Sequence, residues 1–402
     1  MLNTKIKKHF FRLDALIITA NIFVLGYLLS ILPINFRFLD PIVNALRDFD
    51  IYDLYYSQLR STPDADTNIV LVNIGNLSRA EIAHQIHVIN SYEPKVVALD
   101  IVFAQEGEPS TDLALAAEFS QVKNLVMVNR LDGFNETTNS YDTIKTSIDV
   151  FNRFAKNGYA NLPDDEGGSF RTIRKYRPFS LSKGQRVNSL TSTIMQIVDT
   201  AKYARLKNRH IDNEIVNYRG NHDKFYFIDA VDLFDSTFTP SFIKGKIVLM
   251  GYMGPSIDRT SLDDIFFTPL NTKYAGRNFP DMYGVIIHAN IISMVLSDGY
   301  VEQMSFWLGV LWAFVLCYLN VILISAIQGK FSMLSGTFTK IVLSVQTIGT
   351  VYVGLAIFAF LLYRINLTLA MAAVVMVPSS IDFYKSYELK LYQHVKEKYG
   401  KK

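Results

Sequence analysis

Two stretches, Phe306–Ile327 and Ile341–Tyr363, run for 22 and 23 residues without a single charge. As helices they would extend about 33 Å and about 35 Å at 1.5 Å per residue, which matches the hydrocarbon thickness of a bilayer. Lipid offers backbone groups no hydrogen-bonding partner, so runs of this kind are read as spanning helices. Two shorter runs join them. Ala15–Leu32 has 18 uncharged residues, and Ile365–Ile381 has 17, with Pro378 near its end. The first of these ends in Leu-Pro-Ile-Asn-Phe-Arg-Phe with no small-x-small cleavage pattern, so it reads as an uncleaved anchor rather than a signal peptide.

This divides the chain into a basic segment 1–14, a span 15–34, a connector 35–67, a folded domain 68–304, spans 306–327, 341–363 and 365–381, and a basic tail 382–402. Lysine and arginine gather in three places: Lys5, Lys7, Lys8 and Arg12; Lys330 and Lys340; and the tail from Lys385 to Lys402. Four spans put all three on one side of the membrane, and the positive-inside rule makes that side the cytoplasm. The domain is then expected outside, in the periplasm of a bacterial inner membrane, with both termini cytoplasmic. The net charge of +3 makes no case for nucleic acid. The single cysteine, Cys317, lies in an apolar run, so neither an internal disulfide nor a cysteine-based zinc site is expected.

The domain reads as α/β. Asn68–Ile74, Lys95–Phe103, Asn124–Asn129 and Lys246–Tyr252 are apolar, β-branched runs of the kind that form buried strands. Between the first two, Ser78-Arg-Ala-Glu81 is a capping-box pattern that opens a helix. Ser110–Ser120 has helical spacing. Strands alternating with helices predict a mostly parallel sheet with crossover helices. Residues 130–158 break the rhythm and read as a polar, loop-rich insertion. Arg171–Phe179 reads as an edge strand, Leu190–Leu206 as a helix and Tyr283–Leu296 as an apolar helix leading toward the next span.

The ordered pieces of this domain resemble the second type of CHASE domain, the extracellular sensory module associated with cyclases and histidine kinases in bacteria. They are Asp53-Leu-Tyr-Tyr-Ser-Gln-Leu-Arg60, NIVLVNIGNLS, PKVVALDIVF, Gly158-Tyr-Ala-Asn161, an Asp-x-x-Gly turn with Arg171, and Asn217-Tyr-Arg-Gly220. KGKIVLMGYMG, Asp258, Thr268-Pro269 and Gly284-Val-Ile-Ile-His-Ala-Asn290 complete the set, with one span before it and three after. The resemblance implies a sensor of undefined ligand. In many members the last span leads into a kinase or cyclase domain. Here the tail is too short to fold alone, so a separate signalling or membrane-complex protein is expected to read the signal.

Six residues are candidates for ligand binding or signal coupling. Asp100 sits where a buried strand ends, a common ligand position in α/β sheets; a turn cap is the structural alternative. Arg219 stands in Asn-Tyr-Arg-Gly. Asp258 and Thr268 share a loop, and His288 and Asn290 lie on the helix before the membrane, where a folded-over loop could meet them. The alternative for both helix residues is plain hydrogen bonding to loop backbone. Gly251-Tyr-Met-Gly-Pro-Ser256 has no Gly-Lys-Ser/Thr and reads as a tight turn, not a P-loop. His84 and His87 read as a solvated helix face. No catalytic motif is found, and neither catalytic residues nor a metal or cofactor is expected. The leading expectation is an integral membrane sensor, binding a small molecule or a protein and signalling through its helices; oligomerisation is left open. The alternatives are a non-catalytic subunit of a membrane complex and, less favoured, a periplasmic enzyme.

Overall fold

The computed structural model describes residues 12–31, 50–162, 172–259, 261–272, 279–331, 335–388 and 390. Arg171 lies outside them, as does most of the 35–67 connector before residue 50. The chain forms two compact units, Asn44–Val301 and a second made of Met1–Val43 with Glu302–Lys402.

Nine strands build the main sheet: β1 (Asp66–Asn73), β2 (Val96–Leu99), β3 (Leu125–Asn135), β4 (Ser140–Lys145), β5 (Lys156–Tyr159), β6 (Phe179–Ser182), β7 (Gln185–Asn188), β8 (Phe225–Ile228) and β9 (Ile247–Gly251). The helices, numbered along the whole chain, are α1 (Leu13–Ile31), α2 (Arg79–Ser91), α3 (Pro109–Gln121), α4 (Leu190–Val198), α5 (Thr200–Asn208), α6 (Gly284–Leu296), α7 (Phe306–Lys330), α8 (Ser335–Leu361) and α9 (Leu367–Phe383).

Six strands form a parallel core in the order β8-β1-β9-β2-β3-β5. The apolar runs dictate this: β2 and β9 are buried at every residue, as strands covered on both faces must be. Side chains alternate between the faces. Val70, Val72, Val97, Leu99, Met127, Val248 and Met250 share a cluster with Ile82, Ile86 and Ile89 of α2 and Leu115 and Phe119 of α3. The other face is covered by α4 and α6. Each large side chain buried here contributes on the order of 1.5–3 kcal/mol. The capping box opens α2 as expected, with Glu81 N–H on Ser78 Oγ and Glu81 Oε2 accepting from Ser78 N–H at 2.7 Å. Glycine permits a close approach where β5 meets α4: a Cβ on Gly158 would stand 2.7 Å from Ser189 O.

Three local expectations are corrected. Residues 130–158 are not loop-rich. β3 continues past Asn129 to Asn135 and turns into an antiparallel hairpin with β4, which β6 and β7 extend. Only Leu131, Tyr141 and Tyr159 form a small buried cluster there, so the apolar signal is weak. Arg171–Phe179 is not one strand: within its described part Lys175–Tyr176 pairs antiparallel with Glu214–Ile215, and β6 begins at Phe179. Leu190–Leu206 is two helices, because Asp199 turns out of α4 and accepts the Ala201 and Lys202 N–H groups to cap α5.

The second unit holds four helices long and apolar enough to cross a membrane. α1, α7 and α9 share a core of Ala15, Ile18, Ile22, Cys317, Val321, Ile324, Ala373, Val377 and Ile381. Alanines at these contacts let the backbones approach closely, as in membrane helix packing. Thr19 and Asn320 donate to carbonyls one turn back, at Ala15 and Leu316. Glu302–Gln303 pairs in parallel with Tyr363–Arg364, the turn between α8 and α9.

Candidate functional site

The carboxyl edge of a parallel sheet is where open α/β folds bind ligands, and here its two halves differ. At β1, β8 and β9 the edge is sealed. Asn73, fully buried at the end of β1, donates to Asp229 Oδ1 at 2.8 Å and Gly254 O at 3.1 Å. Its Oδ1 accepts the N–H groups of Gly75 and Met253. Asp229 Oδ2 accepts the Ile257 N–H at 3.1 Å. The side chains of both Asn73 and Asp229 thus have their partners inside the protein. The Gly251–Ser256 segment is the expected turn, with Gly254 at φ +85°.

At β2, β3 and β5 the edge is open. A pocket of about 350 Å³ lies there, and Asp100, Asn129, Asn161, Tyr252, Asp264 and His288 are among its lining residues. Asp100 follows the last residue of β2, and its N–H donates to Met250 O at 2.8 Å. No described residue donates to its carboxylate. Burial pushes that carboxyl group up to about 7. Asn129 ends the parallel part of β3; it is 8% exposed, and its amide oxygen is buried without a donor among the described residues. Asn161 pins the β5 loop to β3 through Leu131, accepting its N–H at 2.7 Å and donating to its carbonyl at 2.9 Å. Helix α6 forms one wall with Gly284 and the buried His288. A Cβ on Gly284 would lie 3.0 Å from Asp264 Oδ2, so glycine lets that carboxylate approach the helix start. No group of three metal-binding side chains occurs among the described residues.

Of the six sequence candidates, the structure brings Asp100 and His288 together in this pocket. Asp258 is exposed, in the turn that closes Ser256 onto Arg259, and does not line it. Thr268 is buried and committed to Asp281: its N–H and hydroxyl donate to the two carboxylate oxygens at 2.8 and 2.5 Å. Burial pushes Asp281 up to about 6 although these bonds favour its charged form.

Asn290 and Arg219 meet each other. Asn290 Oδ1 accepts the N–H groups of Arg219 and Gly220 at 2.7 and 3.1 Å, and its Nδ2 donates to Gly220 O and Ile286 O at 2.9 Å each. The Arg219 guanidinium donates to Ser293 Oγ at 2.8 Å and Asp64 O at 2.8 Å, and Ser293 donates on to Asp66. These bonds fix α6 to the Asn217–Gly220 loop. Within the same loop Asn217 links both ends of the domain. Its Nδ2 donates to Gly299 O at 3.0 Å, beyond α6, and its Oδ1 accepts from Tyr56, before β1, at 3.4 Å. Arg60 reaches the same loop, donating to Arg219 O at 3.1 Å. Sequence reasoning missed Asn129, Asp264 and Asn217. Asn129 was accessible to the rule that singled out Asp100, since both end apolar strands.

A parallel α/β domain with a polar pocket at its strand ends, on a chain with four helices of spanning length, is the build of a membrane sensor. The model of the CHASE2 domain matches residues 24–327, and the chain belongs to the CHASE2 family. No output domain is found on the chain. No curated protein and no solved structure matches it.

Proposed function

We propose that the protein is a multi-pass sensor of a bacterial inner membrane whose pocket at the ends of β2, β3 and β5 receives the stimulus. The lysine and arginine distribution favours a periplasmic domain with cytoplasmic termini. The signal passes to a separate protein through the helices that flank the domain. One observation carries this reading: the pocket wall is α6, and the same helix is tied through Asn290 and the Asn217 loop to the segments that lead toward both neighbouring spans. Ser297 to Ser305 is all the sequence between α6 and α7. A ligand that binds one pose of α6 more tightly shifts the population toward it, and one that binds both equally transmits nothing.

The test uses full-length protein with Cys317 replaced by alanine and spin labels at Ser91 and Asp298. Ala160 lines the pocket, so Ala160→Leu fills it without touching a charge. The expected result is a shifted distance distribution in the filled variant. An unchanged distribution rules out transmission through α6.

A further inference from the structure

The pocket's chemistry is lopsided. Its ionisable and charged lining groups are Asp100, Arg130, Tyr252, Asp264 and His288, from the ends of β2, β3 and β9, the loop before α6 and α6 itself. Arg130 is exposed, whereas His288 is 5% exposed. Asp100 faces the cavity with a carboxylate to which no described residue donates. The hydrogen bonding points the same way. The Asn129 amide oxygen is buried without a donor among the described residues, and the half-buried Asp100 carboxylate opens onto the same space. Both are acceptors. The sealed half of the same edge is the contrast: there Asn73 and Asp229 have their partners inside the protein.

A ligand suited to this cavity brings N–H donors and positive charge, and an anion would have to stand beside the Asp100 carboxylate. Resting on the reading of the pocket as the sensory site, we propose that its ligand is a small primary amine whose ammonium group pairs with Asp100. A hydroxyl could donate to the same oxygens, but it brings no positive charge, whereas an ammonium group makes an ion pair with the carboxylate as well as a hydrogen bond. The ammonium group also supplies the counter-charge that burial denies Asp100. Binding then returns Asp100 to its ionised form and releases a proton near neutral pH, so affinity rises as pH increases through about 7. Asp264, His288, Arg130 and Tyr252 face the same space and modulate that dependence.

The experiment takes full-length protein in detergent and three probes of matched length: 1,4-diaminobutane, 1,4-butanediol and succinate. Thermal unfolding and titration calorimetry in buffers of different ionisation enthalpy report binding and proton release. The diamine is expected to raise the unfolding temperature, to bind more tightly at pH 8 than at pH 6, and to release protons at pH 7. Asp100→Asn keeps the shape, removes the charge and is expected to weaken the diamine by at least about tenfold. The proposal is overturned if the diamine does not bind, if the diol or succinate binds as tightly, or if Asp100→Asn leaves the diamine unaffected. A succinate or diol response abolished by Ala160→Leu removes the amine class and keeps the pocket as a ligand site. An α6 distance that ignores Ala160→Leu removes the sensory reading whichever probe binds.

Discussion

Asn290 accepts the backbone N–H of Arg219 at 2.7 Å from the middle of a helix that is otherwise almost wholly apolar. With 0% exposure, its amide satisfies the N–H groups of Arg219 and Gly220 and the Gly220 carbonyl, loop backbone groups that its loss would leave without this partner. An unpaired buried polar group costs about 1–3 kcal/mol. Asn290→Ala is therefore expected to destabilise the domain by at least about 2 kcal/mol, read as a drop in unfolding temperature of the full chain. A loss under about 0.5 kcal/mol would mean that water or a rearranged loop replaces the amide.

Asp53 and Arg174 make a second long-range tie. Arg174 Nε lies 3.0 and 3.1 Å from the two Asp53 oxygens and Nη2 lies 2.5 Å from one of them, with side-chain exposures of 8% and 18% for Asp53 and Arg174. Removing one partner of a buried pair strands the other charge and costs about 3–5 kcal/mol, whereas replacing both by apolar groups is often near neutral. Asp53→Leu alone is expected to be much less stable than Asp53→Leu with Arg174→Met. A double-variant loss equal to the sum of the two single losses would show that the pair is not coupled.

Gly251 ends β9 against α6. A Cβ there would stand 2.7 Å from Val285 Cβ and 2.9 Å from its Cγ2. Both atoms belong to a fully buried side chain, so Gly251→Ala must push the helix off the sheet, at roughly 1–3 kcal/mol. The Gly251→Ala, Val285→Ala double variant is expected to recover part of that loss. Unfolding curves of the two variants measure it.

The raised Asp100 sets a pH dependence whose sign is fixed. Its folded pKa of about 7 lies above its ordinary value, so the native state binds the proton more tightly than the unfolded chain does. Its contribution to stability is full below about pH 4, is lost as pH rises through 7, and is constant above about 8. Asp281, raised to about 6, acts with the same sign over a lower window. The stability of wild type minus that of Asp100→Asn should fall between pH 4 and pH 8. A flat difference would show that Asp100 is ionised at an ordinary pKa.

The proposed orientation predicts which side each surface faces. A cysteine placed at exposed Lys123 is expected to react with a membrane-impermeant maleimide in intact cells, and one at exposed Lys390 only after lysis. The reverse pattern would invert the topology.

Much of the core was legible in the chain because its physics is local. β2, β9 and residues 69–72 of β1 are continuous apolar runs, and Ser78 with Glu81 announces α2 in four residues. Asp199 also carries a local signal, an Asp-Thr cap inside an apolar pattern, that a single-helix reading overrides. The hairpin of β3 and β4 was hidden because half of it faces water, with Lys145 pairing to Asp132 in the open. The site divides the same way. Asp100 and His288 stand out as polar residues in apolar surroundings. Asn129 and Asp264 join them only through strand order and a loop crossing, which no short window of sequence contains. Asn217 is the extreme case, since its partners at Tyr56 and Gly299 lie far from it along the chain.

The position of β9 governs the order in which the domain can be assembled. β9 separates β1 from β2, yet it is made long after both, beyond the hairpin insertion, α4, α5 and β8. A nascent chain that has reached residue 246 holds strands for both sides of the sheet and nothing to join them. Closure waits for Ile247–Gly251 and is followed within about 35 residues by α6, which covers β1 and β9. Biogenesis of this protein should therefore be late and abrupt, with protease resistance appearing only once the ribosome has passed α6 and begun the second span.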